Sequence, residues 1–251
     1  MIRIDPQNPR AIALGRSLEA LLCPDALAPD LTVVIGGDGW MLSCIREGGT
    51  DSIYLGLNAG HLGFLLNDVP TEQALATAAE ALLHRRYRPW IFPRLLMQAQ
   101  RASGEEVRAE AINDVYVERS SGHTAHLRLS IDGTRVVDSM SADGLIVATG
   151  LGSTAYSFSA GGAPSHPLVR ALNITPICSH SPRLSPFSLP AEAFVEVEVL
   201  EPEIRPARAV CDGVDHGLIT RLSVGRASDV RLAFLEGHDF TGTLVRKILR
   251  T

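Results

Sequence analysis

The fold class this sequence predicts is an N-terminal α/β layer followed by a β-rich, sandwich-like half. Three observations predict it. Two short apolar runs, residues 31–35 (LTVVI) and 52–57 (SIYLGL), lack polar alternation, as strands buried on both faces do. Stretches of helical apolar spacing lie before, between and after them, which is the pattern of a parallel sheet covered by helices. Beyond residue 94 the pattern changes to period two with frequent turns.

The elements follow in order. Residues 2–4 suit a short strand, and 10–22 a helix, with Ile12, Leu14, Leu18, Leu21 and Leu22 near helical spacing. The strand at 31–35 stops at a run of glycines, and 40–46 resumes a helical pattern. The strand at 52–57 ends in Asn58-Ala59-Gly60. Residues 71–84 form an Ala/Leu-rich helix with Thr71 as N-cap. Residues 85–94 (RRYRPWIFPR), basic and broken by proline, are expected to link the two halves. In the second half, 125–131 and 135–140 flank Asp132-Gly133-Thr134, a hairpin signal. Residues 194–200 alternate Val195, Val197 and Val199 with Glu196 and Glu198, and 230–235 read as one more strand of this half.

Composition excludes several classes of function. A net charge of −5 with 20% charged residues leaves no polybasic face for nucleic acid or an anionic membrane. The four cysteines, Cys23, Cys44, Cys178 and Cys211, are scattered, without a C-x-x-C pair. That argues against a zinc site or disulfide framework and suits a reducing compartment. No apolar run reaches about 18 residues, the length of a membrane span. The first residues carry Asp5, Pro6 and Pro9 in place of an apolar leader core. A soluble, cytoplasmic protein is expected.

Gly36-Gly37-Asp38-Gly39 directly follows a buried strand and opens a helix. Glycines there let a phosphate approach the backbone, and the helix N-terminus offers free N–H groups to it. Asp38 then stands at the carboxyl end of a parallel strand, where open α/β sheets hold their ligands. The G-x-x-x-x-G-K-[ST] of a P-loop is absent. Gly150-Leu151-Gly152-Ser153-Thr154-Ala155 matches a loose dinucleotide fingerprint, but residues 168–176 lack the acidic residue such a fold needs about 20 positions on. His123 and His126 have no third ligand in view, and Ser153, Ser157 and His166 lack a G-x-S-x-G elbow. Asn113-Asp114 reads by itself as a turn before a strand.

Together these motifs resemble the NAD kinase family in its short bacterial form. The residues that carry the likeness are Gly36-Gly37-Asp38-Gly39, Asn58-Ala59-Gly60-His61-Leu62-Gly63-Phe64-Leu65, Asn113-Asp114, Asp143-Gly144-Leu145-Ile146 and the block from Gly152-Ser153-Thr154-Ala155-Tyr156 to Gly161-Gly162. The resemblance implies an active site in the cleft between an α/β domain, residues 1–93 rejoined by 239–251, and a β-rich domain, 94–238. It implies phosphorylation of the 2′-hydroxyl of the adenosine ribose of NAD, with ATP or another phosphoryl donor and Mg²⁺ or a similar divalent metal. Asp38 is then the general base, and Gly36, Gly37 and Gly39 line the donor pocket. Asn58 belongs to the NAD-binding set, and Asn113 and Asp114 hold the ribose hydroxyls. Thr154, Ala155 and Tyr156 with Phe64 form the adenosine pocket, Asp143 reaches the nicotinamide end, and Asp212 lies near the site. A homo-oligomer, dimer or tetramer, is implied as well, with small-molecule partners only. The chain departs from the family pattern at Trp40, Asp114 and Gly150-Leu151, and a divergent copy of this kind is alternatively a non-catalytic NAD(P)-binding regulatory protein.

Overall fold

A computed structural model of the chain describes residues 1–22, 27–60 and 63–249. Two compact units emerge: residues 1–92 together with 229–251, and residues 93–228.

The first unit runs β1 (Ile2–Ile4), α1 (Pro9–Leu21), β2 (Leu31–Gly36), α2 (Asp38–Gly48), β3 (Ile53–Asn58), β4 (Leu66–Asp68), α3 (Glu72–Leu83) and β5 (Tyr87–Phe92). Strands β1, β2, β3 and β4 pair in parallel, as the apolar runs predict. Alternation along β3 sends its side chains to two helical layers. Leu55 and Leu57 meet Ala11 and Leu18 of α1 and Leu75, Ala78 and Leu82 of α3 in one core. Tyr54 and Gly56 face the other way, toward Gly48 and Met41 of α2. Thr71 caps its helix as the sequence indicates, accepting from the Ala74 N–H at 3.1 Å, and the first helix is capped by Asn8, which accepts from the Arg10 and Ala11 N–H groups.

The second unit is antiparallel throughout. It contains β6 (Leu95–Arg101), β7 (Glu106–Ala111), β8 (Asp114–Arg119), β9 (Ala125–Ile131), β10 (Thr134–Ala142) and β11 (Gly144–Thr149). A 3₁₀ turn at Gly152–Thr154 and the single-turn α4 (Tyr156–Ser159) follow. Then come β12 (Ala171–Ile177), β13 (Phe187–Pro190), β14 (Val195–Leu200), β15 (Ala207–Cys211) and β16 (Val214–Arg226). Asp132 and Gly133 both take positive φ, 48° and 74°, which closes the β9–β10 hairpin as a tight two-residue turn. The hydrogen bonds link these strands into one sheet in the order β10-β9-β14-β16-β15-β8-β11-β12-β13, with β6 and β7 joined through β16. Its inward residues, among them Val117, Leu127, Val147, Val197 and Leu222, form a single core.

The chain then returns to the first unit as β17 (Val230–Leu235) and α5 (Phe240–Leu249). Here two sequence expectations are corrected. The run 230–235 is a strand, but it belongs to the α/β sheet: β17 pairs in parallel with β3 and antiparallel with β5. Its apolar face, Leu232 and Phe234 with Ala233 behind, is buried on both sides, as a central strand requires. The stretch 85–94 is no plain linker either, because 87–92 form the edge strand β5. Pro89 is tolerated there because an edge strand leaves one side unpaired. Strands β17 and β4 share one edge of β3 end to end. The buried Asn67 stitches the junction, donating to the Gly56 and Ala233 carbonyls and accepting from the Leu235 N–H.

Cys44 and Cys211 are buried and Cys178 is exposed; Cys23 lies outside the described residues. Among the described residues no helix is long and apolar enough to cross a membrane.

Candidate active site

In the first unit the turn between β2 and α2 places Asp38 as the first helical residue, with Gly37 extended at the N-cap (φ −108°, ψ 178°). No side chain caps this helix, so its first N–H groups face outward. Among the described residues a Cβ built at Gly37 or Gly39 would meet nothing within 4 Å, which leaves the approach to these N–H groups open. The Asp38 carboxylate is fixed from behind. The Phe64 N–H reaches it at 3.0 Å and the Leu65 N–H at 3.0 Å. Those N–H groups come from the segment after β3, part of which, His61 and Leu62, lies outside the described residues.

Asn58 is buried at the end of β3, and its amide is already engaged. Nδ2 donates to Asp68 at 2.9 Å, and Oδ1 accepts from the Gly60 N–H at 2.8 Å. Its local work is to shape the turn beside Asp38. Trp40 folds back over Gly36, where a Cβ would meet its ring at 2.8 Å, and Arg3 stands 5.9 Å from the ring centre. Its buried Nε1 has no hydrogen-bond partner among the described residues.

In the second unit a different set converges. Asp212, at positive φ in the β15–β16 turn, accepts backbone N–H groups from Ile112 (2.7 Å), Asn113 (2.9 Å) and Asp114 (3.1 Å). It therefore orders the Asn113-Asp114 backbone. From the other side the Thr149 N–H donates to the Asn113 carbonyl at 2.9 Å, and the Thr149 hydroxyl donates to the Ile112 carbonyl at 2.7 Å. Asp114 is buried at the start of β8. Burial first, and the Asp212 charge second, push its carboxyl up to about 7, against the stabilising Tyr156 N–H. Tyr156 stacks edge-on against Tyr116 at 4.9 Å. Burial raises its phenol, and the charges of Glu118, Asp114 and Asp143 add to the effect. The Thr154 hydroxyl is buried without a partner among the described residues, while Ala155 carries an irregular backbone between the 3₁₀ turn and α4.

Asp143 lies at the far end of the β8–β11 ladder from Asp114, since Gly144 pairs with Glu118 and Ala148 with Asp114. Arg119 Nε holds its carboxylate at 2.6 Å. Two weaker sequence candidates find ordinary partners: His126 pairs with Glu201 at 3.0 Å, and Ser153 accepts from the Ser165 N–H at 2.9 Å.

The departure at Gly150 has a steric reason. A Cβ there would meet the Val169 carbonyl oxygen at 2.4 Å, so any side chain, a proline ring included, would displace that segment. The triple backbone clamp by Asp212 left no pattern to read, because carboxylate-to-N–H contacts depend on a turn 98 to 100 residues away.

A strand, a glycine turn and a helix N-terminus beside one fixed carboxylate have the form of a phosphate-binding turn that works through backbone N–H groups. Residues 6–87 match the ATP-NAD kinase N-terminal domain, and residues 112–223 the ATP-NAD kinase C-terminal domain. The NAD kinase of Rickettsia typhi is 34% identical over 223 residues, 87% of this chain and 85% of that one. Yeast NADH kinase, solved in complex with NADH, matches with a TM-score of 0.78 and 26% identity over 90% of this chain and 67% of its own. An NAD kinase from Archaeoglobus fulgidus, solved in complex with ATP, shares the fold at a TM-score of 0.78 and 22% identity over 100% of this chain and 98% of its own. The chain belongs to the NAD kinase family.

Proposed function

We infer that this enzyme transfers the terminal phosphoryl group of ATP to the 2′-hydroxyl of the adenosine ribose of NAD, giving NADP. The observation that carries the reading is Asp38, fixed by two backbone N–H groups beside an open glycine turn. In the step, a bond forms between the ribose oxygen and the γ-phosphorus, and the bond from that phosphorus to the β,γ-bridging oxygen breaks. The hydroxyl proton passes to Asp38, which keeps a lone pair outside its two N–H contacts. Gly36, Gly37 and Gly39 let the donor phosphates reach the α2 N-terminus.

On the acceptor side Asn113 and Asp114 bind the ribose hydroxyls, with Asp212 ordering their backbone. Thr154 brings a hydroxyl with no partner among the described residues, and Ala155 and Tyr156 supply apolar surface beside it; in the first unit Asn58 shapes the turn that precedes Phe64. Asp143, steadied by Arg119, takes the nicotinamide end. Among the described residues no group of three His, Cys, Asp or Glu forms a metal cage. A turn with this single carboxylate would suit a Mg²⁺ held by the donor phosphates, with no protein cage around it. When bound, the metal neutralises donor charge. We place the protein in the cytoplasm as a homo-oligomer, on the family likeness and on four scattered cysteines without a C-x-x-C pair.

The test is NADP formation from NAD, ATP and Mg²⁺ by the purified protein. Tight NAD binding without turnover, on ATP or polyphosphate, would replace this reading with that of a regulatory NAD(P)-binding protein.

Two further outcomes are expected. Gly37→Ala keeps the thermal midpoint, because the residue is extended and a Cβ there touches nothing. Its KM for ATP rises by about tenfold, as phosphate loses its closest backbone approach. An unchanged KM would move the donor off this turn.

Asp114 sets a pH dependence. Its ionised carboxylate accepts ribose hydroxyls, so NAD binding tightens as pH rises toward about 7 and then levels off. Below that point KM for NAD climbs by up to about tenfold per pH unit. Stability moves the other way. The folded carboxyl holds its proton more tightly than the unfolded one, so this group's contribution falls as pH rises from its ordinary value, 3.8, to about 7. Asp114→Asn flattens the KM profile; a profile that keeps its shape in this variant assigns the titration elsewhere.

A further inference from the structure

One side chain in this protein stands out by composition. Of its 23 lysine and arginine residues a single one, Lys247, is lysine, and every other basic position is arginine. That lysine lies on α5, which Phe240 and Thr243 anchor from the same face by their helical spacing. Phe240 packs edge-on against Phe234 at 4.8 Å and Trp90 at 5.6 Å, so the helix is fixed on the sheet before it reaches residue 247.

The Lys247 ammonium stands 4.6 Å from the centre of the Phe64 ring. Phe64 is the residue whose N–H holds the Asp38 carboxylate. Among the described residues the ammonium makes no hydrogen bond and no ion pair, whereas its neighbour Arg246 turns to Thr243 at 3.0 Å and Asp68 at 4.0 Å. Burial pushes the ammonium down from the ordinary lysine value, and the negative charge of Asp38 opposes that push. A half-buried cation resting on an aromatic ring, close to a carboxylate yet not bonded to it, keeps its N–H groups for a ligand. A cation–π contact holds it without consuming those donors.

We propose that Lys247 is a catalytic residue that donates hydrogen bonds to the γ-phosphoryl group of ATP beside Asp38. The proposal rests on the reading of Asp38 and its glycine turn as the phosphoryl-transfer site. Charge on that group must be balanced as it passes from the β,γ-bridging oxygen to the ribose oxygen. Lys247 keeps its protons throughout, and the hydroxyl proton goes to Asp38. The requirement for lysine follows from shape. A compact ammonium can follow a moving phosphoryl group from above a ring, while a planar guanidinium would stack on that ring and fix its fork in one plane.

The single lysine makes the test clean. Reductive methylation with ¹³C-formaldehyde labels Lys247 and the Met1 amine and no other side chain. On addition of inorganic tripolyphosphate, then ATP, the Lys247 signal is expected to shift and saturate while the Met1 signal stays. A Lys247 signal that does not respond to saturating ATP overturns the proposal. In parallel, Lys247→Met is expected to raise KM for ATP and lower kcat, together by about 10- to 100-fold in kcat/KM, the effect of one charged hydrogen bond. KM for NAD and the thermal midpoint stay as they were, and Lys247→Arg recovers only part of the loss. If Lys247→Met keeps the full kcat/KM for ATP, the lysine is not catalytic, although NADP formation by the unaltered protein still supports the function. If the unaltered protein makes no NADP but its labelled lysine answers tripolyphosphate, the function is wrong and the phosphate contact stands.

Discussion

Asp38→Asn is expected to lower kcat for NADP formation by about 10²- to 10⁴-fold, the usual worth of a positioned general base. The substitution keeps the size of the side chain and removes its ability to take a proton. It also disturbs the support, because an amide offers one carbonyl oxygen where the carboxylate offers two to the Phe64 and Leu65 N–H groups. NAD affinity is expected to hold, since most of the groups assigned to the nucleotide, Asn113, Asp114, Asp143, Thr154, Ala155, Tyr156 and Asp212, lie in the second unit. Single-turnover kinetics set beside a calorimetric NAD titration check both halves of this statement. If binding falls as much as turnover, Asp38 shapes the pocket and the base is another group.

The second large effect is expected from Gly152→Ala. A Cβ at this position would stand 2.0 Å from the Asn113 oxygen, 2.4 Å from its carbonyl carbon and 2.5 Å from its Cα. All three are backbone atoms, so no rotamer relieves the overlap. Asn113 cannot retreat either, because the Asp212 carboxylate grips its N–H from the far side while its carbonyl accepts from the Thr149 N–H. The expected cost is about 3 kcal/mol of stability, at the upper end for overpacking. That corresponds to a thermal midpoint lower by roughly 6–12 °C for a chain of this length. Any protein that remains folded carries a displaced Asn113-Asp114 pair, so KM for NAD rises more than tenfold. A variant with an unaltered midpoint would show that the Asn113 loop is soft and that the Asp212 clamp is not what orders it.

The sequence made some of this legible, and the reason is local. Residues 31–35 and 52–57 are apolar without alternation, and that alone places them inside a covered sheet. Glycines and Asp38 follow at the carboxyl end of a parallel strand, where open α/β sheets hold their ligands. Asp132-Gly133 closes a hairpin because both residues accept positive φ. The features that escaped are long-range. Val230–Leu235 reads as a strand, but nothing within it tells which sheet it joins; that is decided by β3 and β5, which lie more than 130 residues earlier. The proline in 87–92 disguised an edge strand as a linker. Asp212 sits in an ordinary turn, and its grip on three N–H groups is a matter of tertiary placement. Lys247 was hidden in a mildly apolar tail, although a count of lysines would have singled it out.

The position of β17 bears on how the protein comes into being. Residues 93–228 form a contiguous unit whose strands all find partners within that stretch, so it can fold while synthesis continues. The α/β sheet has no such freedom. Until Val230–Leu235 leaves the ribosome, β5 has no neighbour, one edge of β3 is half bare, and the Asn67 amide lacks two of its three contacts. The unit that carries Asp38 and its glycine turn is therefore begun first and finished last. A half-made chain acquires the sheet of its second unit before the sheet that supports the Asp38 turn is complete.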